Sequence, residues 1–515
     1  MINKFIKIIY VIVGVIAINT MSSCSGDLEE LNIDPDASNI LVPEFFFTKA
    51  QLDAVNVSYF GTAALTIGGS MQHFSTYKEV PAAGDKYFND GYSKAYFGQM
   101  YLGAVNEMGE VIRALEDPDD INRLSIARIW RTFIFHRITD LYGDVPYTEA
   151  GKGSSENLIA PKYDEQSFIY KDLLNELEQA INNMDSSLGS FGAGDLIYGG
   201  NLDQWKKFGY SMMLRLGMRL TEVDAALAET WVKKAIAGGV ITNDTDLARI
   251  EYVDGSQVAS RNPIASALLN GDYNNSQDED NVEGGKFAKT FIDHLKNTKD
   301  PRLAVMAVVW VNQSGTYIYD SSFDLQIGMQ NAEFNSKPPN FAIFSEPHPQ
   351  TILKFDAPLL VFTSAEGNLL LAEAAIRGWY AGDAQSLYED AVKSGMRQWS
   401  LFGDAGIIDN QDIEDYLILN PFKTAGSFEE KMEQIQTQKW VSLFLDEYEI
   451  FSNWRRTGYP ALVPVNYPGN LTGGQIPTRF VLPESEQATN QVNFNEALDR
   501  QGGTNDFLSK VWWDK

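Results

Sequence analysis

The spacing of apolar residues predicts a largely helical chain. Between Asn122 and Asp140 the apolar positions recur every three to four residues, which places them on one face of a helix. The same spacing returns elsewhere, and the predicted helices cover residues 122–140, 163–184, 203–220, 364–380, 384–399 and 427–454. Asn122 is expected to cap the first of these helices, and Gly143 is expected to end it.

One segment has the pattern of a helical hairpin. Residues 365–396 predict two short helices joined at Gly382-Asp383, with small and aromatic side chains where paired helices approach closely. The stretch 301–360 instead contains β-branched and aromatic runs, which predict short strands or irregular structure. Residues 185–202 and 272–285 have loop composition. The expected fold is therefore mainly α, with one tetratricopeptide-like helical hairpin and a few short strands or irregular segments between the helices.

The first 40 residues predict export and lipidation. Lys4 and Lys7 precede an apolar run from Ile8 to Ile18, and small residues then lead to Cys24, the only cysteine in the chain. This layout resembles a lipobox, although Met21 stands where leucine is preferred. The expected organisation is a signal peptide at 1–23, a lipid-anchored acidic tether at 24–40 and one domain at 41–515. The alternative is an ordinary signal peptide cut near Ser23, with Cys24 unmodified.

The net charge of the chain and the motifs that it lacks exclude several classes of function. The formal net charge is −28, and removal of 1–23 takes two lysines and no acids, which leaves 39 basic and 69 acidic residues and a net −30. Such a field repels phosphate backbones, so nucleic acid is excluded and polyanionic glycans are disfavoured. The four histidines lack metal-ligand spacing, and no catalytic or phosphate-binding string is present. No cofactor or metal is expected, while a carboxylate pair of the glycosidase kind stays open.

Seven strings, in order, resemble the SusD/RagB family of Bacteroidetes surface lipoproteins. They lie at residues 138–150, 161–180, 198–220, 300–303, 365–378, 438–460 and 477–490, and the most distinctive is WRRTGYP at 454–460. The resemblance implies a helical, non-catalytic protein in which tetratricopeptide-like hairpins form an α-solenoid scaffold and an irregular, loop-rich lobe binds the nutrient. It also implies that the protein covers a SusC-like TonB-dependent transporter at the outer membrane and faces the exterior. Contact with the membrane would be through the lipid on Cys24 alone.

Aromatic residues outside the helical faces are the candidate ligand contacts, because sugar rings stack on aromatic faces and bond to polar side chains at their edges. Two clusters are expected to line one site. They comprise Phe74, Tyr77, Tyr87, Phe88, Asn89, Asp90 and Tyr92, and Trp310, Tyr317 and Tyr319. A neutral oligosaccharide is the preferred ligand. The alternatives are a peptide as in RagB, a surface glycoside hydrolase, a scaffold that binds only proteins, and aromatic rings that merely pack in loops.

Two neighbouring arginines have an expected structural role. Arg455 and Arg456 follow a run of acids in sequence, and a guanidinium matches a carboxylate with two parallel hydrogen bonds. We therefore predict that they pair with nearby carboxylates, those of Asp446, Glu447 and Glu449, and lock the last long helix. The alternative is that they bind a carboxylate ligand.

Overall fold

The fold was analysed in a computed structural model that describes residues 41–56, 59–79, 84–87, 89–271, 273 and 284–515. Helices dominate these residues. The longer ones are α1 (Pro43–Asn56), α2 (Gly91–Met100), α3 (Asn106–Ala114), α4 (Ile121–Tyr142), α5 (Gln166–Asn183), α6 (Leu202–Arg219), α7 (Ala225–Gly238), α8 (Pro263–Asn270), α9 (Lys289–Asn297), α10 (Ser364–Ile376), α11 (Ala384–Arg397), α12 (Asn410–Leu419), α13 (Phe428–Ser442), α14 (Glu447–Thr457) and α15 (Gln491–Arg500).

The strands are short and form small antiparallel sheets. They are β1 (Phe74–Thr76), β2 (Val145–Pro146), β3 (Tyr163–Asp164), β4 (Ala248–Ile250), β5 (Gly285–Phe287), β6 (Ala307–Gln313), β7 (Thr316–Asp320), β8 (Glu346–Pro347) and β9 (Leu359–Phe362). Among the described residues, β1 pairs with β5, β2 with β3, and β4 with β9, while β6 lies between β7 and β8. The pairs β1–β5 and β4–β9 therefore join segments that are far apart in sequence.

Side chains at the helix starts explain where several helices begin. The carboxylate or carbonyl oxygens of Asn201, Asp224 and Asp383 accept hydrogen bonds from backbone N–H groups in the first turns of α6, α7 and α11. Ser427 and Glu430 form a reciprocal capping box at α13. These contacts satisfy donors that have no partner inside the helix. At the other end of α4, Gly143 adopts a φ of 80° and ends the helix, as predicted.

The helices pack on one another around a common core. α4 packs on α5, α6 on α7, and α10 on both α11 and α13. Residues Pro43–Lys515 form one compact unit. The predicted fold class, a mainly α chain of tetratricopeptide-like hairpins with a few short strands, is confirmed.

Buried ion pairs join the helical hairpins to one another. Arg215 of α6 donates to the Glu366 carboxylate of α10 at 2.6 and 2.8 Å, and all of these groups are buried. Lys439 of α13 lies 2.9 Å from the Glu449 carboxylate of α14. A buried charge stays ionised only when an opposite charge faces it, so these pairs fix how the hairpins pack.

The prediction for Arg455 and Arg456 is wrong about the groups that they contact. Arg456 makes a two-pronged pair with Glu373 of α10, at 2.7 Å for each oxygen. Arg455 donates to the backbone carbonyl of Thr478 at 3.0 Å and stacks over Trp513. Tertiary packing therefore brings both side chains to groups that are remote in sequence, and α14 is locked to α10 rather than to its own acids.

Three predicted helix boundaries also differ from the structure. The segment 427–454 forms two helices, because the chain turns between Ser442 and Glu447 with Leu445 at a φ of 84°. Tyr163 lies in β3, and the helix begins only at Gln166. Asn122 lies inside α4, where its amide bonds the loop at 185–189 instead of capping the helix.

Candidate ligand-binding site

The strand pair β6–β7 carries aromatic side chains on one exposed face. Ser314 and Gly315 form its two-residue turn with φ values of 55° and 93°, as a tight hairpin turn requires. Trp310 pairs with Tyr319, and Asn312 pairs with Tyr317. Directly paired residues point to the same side of an antiparallel sheet, and so do alternate residues of one strand. These four residues, Trp310, Asn312, Tyr317 and Tyr319, therefore share one face, which we call the aromatic face.

The aromatic face is partly open to solvent. Tyr319 is 40% exposed, and Trp310 and Tyr317 are half-buried. The rings of Trp310 and Tyr319 meet edge to face with their centroids 6.1 Å apart. On its other side Tyr319 contacts the ring of His348 at 5.2 Å. Burial lowers the pKa of His348 to about 4, so this neighbour is an uncharged ring at neutral pH.

A buried carboxylate holds Trp310 in place. The indole N–H of Trp310 donates to Glu346 Oε2 at 2.7 Å. The other oxygen of Glu346 forms an ion pair with Lys286 of β5, and both charged side chains are fully buried. Because each carboxylate oxygen is engaged, the rotamer of Trp310 is fixed before any ligand arrives.

Most rings of the first predicted cluster lie inside the protein. Phe74 is 1% exposed and stacks on Phe287 with centroids 5.5 Å apart. Tyr77 is 3% exposed and meets Phe341 edge to face at 5.0 Å, and Tyr87 is 4% exposed. Phe74 is covered because β1 pairs with β5 and is buried throughout, and Tyr77 and Tyr87 are likewise almost inaccessible to solvent.

Asn89, Asp90 and Tyr92 of that cluster lie at the start of α2. The Asn89 side chain accepts a hydrogen bond from the Gly91 N–H at 2.7 Å, and Asp90 lies 2.9 Å from Lys94. Tyr92 is half-buried against the core. These contacts start the helix. Phe88 lies outside the described residues, as does Cys24.

Buried contacts connect the two predicted clusters. The Lys286 ammonium lies 4.2 Å above the ring of Phe341, which in turn contacts Tyr77. Lys286 pairs with Glu346, and Glu346 accepts from Trp310. The second cluster alone presents several aromatic side chains together on an accessible face. Sequence reasoning missed Lys286, Glu346 and His348, because nothing in their local sequence indicates what they contact.

Among the residues that the structure describes, no three His, Cys, Asp or Glu side chains are grouped so as to hold a metal ion. No helix in the same part of the chain is long and apolar enough to cross a membrane.

Comparison with known proteins finds one family throughout. The family model for SusD-like proteins, described as starch-binding and associating with the outer membrane, matches residues 35–483. A solved structure titled as a chitin-binding protein is 31% identical, superposes with a TM-score of 0.80, and is aligned over 92% of this chain and 100% of its own. A search of the curated proteins finds no significant match.

More distant structures share the fold. A SusD-like protein from the Bacteroidetes is 24% identical with a TM-score of 0.81, covering 92% of this chain and 100% of that one. A SusD homologue from Bacteroides uniformis is 22% identical with a TM-score of 0.75, covering 92% and 99%. The family match over most of the sequence and the structural match over nearly the whole chain agree. The chain belongs to the SusD-like family of outer-membrane nutrient-binding proteins.

Proposed function

We propose that this protein captures a neutral oligosaccharide at the cell surface and passes it, uncleaved, to a SusC-like TonB-dependent transporter that it covers as a lid. The observation that carries the proposal is the aromatic face, where a fixed Trp310 and a half-exposed Tyr319 stand side by side in a SusD-like chain. Such rings offer flat apolar surfaces to the C–H faces of sugars.

The chemistry of this face favours a neutral, extended ligand. Two adjacent rings suit consecutive sugar units, and the side-chain N–H₂ of Asn312 stands beside Tyr317 to donate to a hydroxyl group. The net charge of −28 disfavours polyanionic glycans. The 31%-identical relative is named for chitin and the family for starch, so β-linked N-acetylglucosamine and α-linked glucose oligomers are the first ligands to test.

Absence of catalysis is part of the proposal. Glu346 is the carboxylate that contacts the aromatic face, and its two oxygens already bind Lys286 and the Trp310 indole. A carboxylate in this position orients a side chain and is not placed to protonate a glycosidic oxygen. The surface-hydrolase alternative requires another carboxylate pair beside the bound sugar.

Attachment to the membrane is proposed through lipid on Cys24 after removal of residues 1–23, with the acidic segment 24–40 as tether. Lipid chains contribute about 0.8 kcal/mol per buried methylene, so more than one chain gives stable anchoring. We further propose that the anchored protein faces the exterior, where oligosaccharides first reach the cell.

A binding screen with a turnover assay tests the function. The full chain, in a detergent without sugar headgroups, is titrated with chito-oligosaccharides, malto-oligosaccharides and short peptides, and each mixture is then analysed for cleavage products. The proposal expects saturable binding of a glycan without products. Binding of peptides alone would support a RagB-like role, product formation would support a hydrolase, and binding to a co-expressed transporter without any ligand would support a scaffold.

A further inference from the structure

A cleft lies within the helical scaffold and shares no lining residue with the aromatic face. Its volume is about 420 Å³, in the range of small-molecule sites. Helices α9, α12 and α13 form its walls, and residues 460–462 form part of its rim. None of the residues that line it belongs to either predicted aromatic cluster. We call it the scaffold cleft.

The lining of the scaffold cleft is polar and almost uncharged. Threonine, asparagine, glutamine, tyrosine and histidine side chains predominate. The two charged residues of the lining, Lys423 and Glu433, are about half exposed and lie 3.8 Å from each other. Their charges therefore offset each other at the solvent side. Such a lining suits a ligand that is rich in hydrogen-bonding groups and carries no net charge.

A buried chain of polar groups ends at Tyr416, one of the residues that line the cleft. Arg302 is held by Asp300, and a guanidinium can only donate, so the Gln438 amide oxygen faces it at 2.8 Å. The Gln438 nitrogen then donates to the Tyr416 hydroxyl at 3.3 Å. Burial raises the pKa of Tyr416 well above its ordinary value, so the phenol keeps its proton. With its oxygen already accepting a hydrogen bond, the hydroxyl is left to donate its proton to a ligand.

Other lining groups have hydrogen-bonding capacity to spare. Within the described residues, neither the His294 ring nor the Thr437 hydroxyl makes a hydrogen bond to protein. The Asn420 side chain donates to the carbonyls of Thr298 and Tyr416, which leaves its oxygen as an acceptor. Burial lowers the pKa of His294, so its ring is neutral at pH 7 and supplies one donor and one acceptor. Its edge also contacts Trp440, with centroids 5.7 Å apart.

We propose that the scaffold cleft is a second binding site, which takes a neutral sugar unit of one or two residues independently of the aromatic face. Tyr416 donates to the ligand, Asn420 accepts from it, and His294 and Thr437 can do either. A polyhydroxylated molecule presents hydroxyl groups that both donate and accept, so it satisfies this mixed set without bringing a charge into the cleft. The proposal adds a site to the proposed function and does not need the aromatic face to bind.

Equilibrium dialysis with radiolabelled disaccharides tests the proposal by counting sites. The full chain in lauryldimethylamine oxide, which has no sugar headgroup, is dialysed against maltose, cellobiose and N,N′-diacetylchitobiose. The test variant is T437V/H294F, in which valine keeps the shape of threonine and phenylalanine keeps an aromatic ring, while the hydrogen-bonding atoms of both side chains are removed. The matched variant W310A/Y319A removes the other site.

We expect the wild type to bind two molecules of at least one disaccharide, and each double variant to bind one. T437V alone deletes a single hydroxyl group and should weaken the cleft site by about threefold to tenfold without unfolding the protein. If the wild type binds one disaccharide molecule and T437V/H294F binds none, the result would support the scaffold cleft and contradict the aromatic face. A stoichiometry and affinity unchanged in T437V/H294F, or no binding of any disaccharide, would overturn the inference.

Discussion

Trp310 donates its indole N–H to the buried carboxylate of Glu346 at 2.7 Å, so an accessible aromatic ring is tied directly to the interior of the protein. Glu346 is in turn paired with Lys286 from a strand that lies elsewhere in the sequence. The aromatic face is therefore oriented by an ion pair that no solvent reaches. Rigid presentation of this kind reduces the entropy lost on binding, which favours affinity for a flexible oligosaccharide.

The ion pair can be tested by removing its charges separately and together. E346Q removes the negative charge opposite the buried Lys286 and should lower the free energy of unfolding by about 3–5 kcal/mol. K286M/E346Q removes both charges and should recover most of that loss, as measured by urea unfolding. A double variant that is no more stable than E346Q would contradict the role of the pair.

Variants of Lys286 and Glu346 distinguish the effect of the ion pair on stability from its effect on the position of Trp310. In K286M/E346Q the glutamine oxygen can still accept from the indole, whereas K286M/E346M offers no acceptor. We expect glycan affinity close to that of the wild type in the first variant and about tenfold weaker in the second, equivalent to about 1.4 kcal/mol. Calorimetric titration of the two variants makes the comparison at matched stability. Equal affinities would show that the hydrogen bond does not position the ring.

Phe74 should behave as a core residue. It is 1% exposed and stacked on Phe287, so F74A should cost about 3–5 kcal/mol of stability, while F74L should cost less than about 1.5 kcal/mol. F74L should leave glycan affinity unchanged. Urea unfolding and ligand titration on the same samples check both points. A loss of affinity in stable F74L would restore Phe74 to the ligand site.

The link between α14 and α10 should depend on pH. Burial alone would raise the pKa of Glu373, but Arg456 and Arg377 outweigh it and lower the pKa from 4.5 to about 2. A lowered pKa in the folded state stabilises the protein above the unfolded value, and this stability is lost as the pH falls from about 4.5 to 2. E373Q should therefore be less stable than the wild type by about 3 kcal/mol at pH 7, and the difference should shrink in that window.

Urea unfolding of both proteins between pH 7 and pH 2 measures this dependence. The exposed Glu496 provides the control, since E496Q should change stability little at any pH. A stability difference for E373Q that stays constant down to pH 2 would mean that the charge of Glu373 does not stabilise the fold.

Because Cys24 is the proposed site of lipidation, its substitution should change how the protein partitions between water and detergent. C24S should leave a chain that no longer enters the detergent phase of Triton X-114, whereas the wild type should enter it and carry acyl chains that mass spectrometry detects. Its binding of glycans in solution should be unaltered, because the substitution lies outside the domain at 41–515. Partitioning of C24S into detergent like the wild type would contradict the anchor.

Local patterns were enough to predict six helical segments and a mainly α chain, because helical periodicity acts within a few positions. The tetratricopeptide-like scaffold was expected from the family resemblance. Local patterns also indicated Trp310, Tyr317 and Tyr319 as candidate ligand contacts. A two-residue turn places these three residues on one face of the β6–β7 pair. Local patterns could not reveal that Phe74 is buried, since its partner Phe287 comes from a remote strand. Nor could they show that Arg456 reaches Glu373, because that pair exists only after two hairpins pack.

Calorimetric titration of the wild type and of W310A/Y319A with triacetylchitotriose and maltotriose tests the central claim most directly. The half-exposed Phe428, at 41%, supplies the control variant F428A on the scaffold. We predict saturable binding of one of these glycans by the wild type and by F428A, and a loss of about tenfold or more in W310A/Y319A with little change in the urea midpoint. Unchanged affinity in W310A/Y319A would contradict the assignment of the aromatic face as the ligand site.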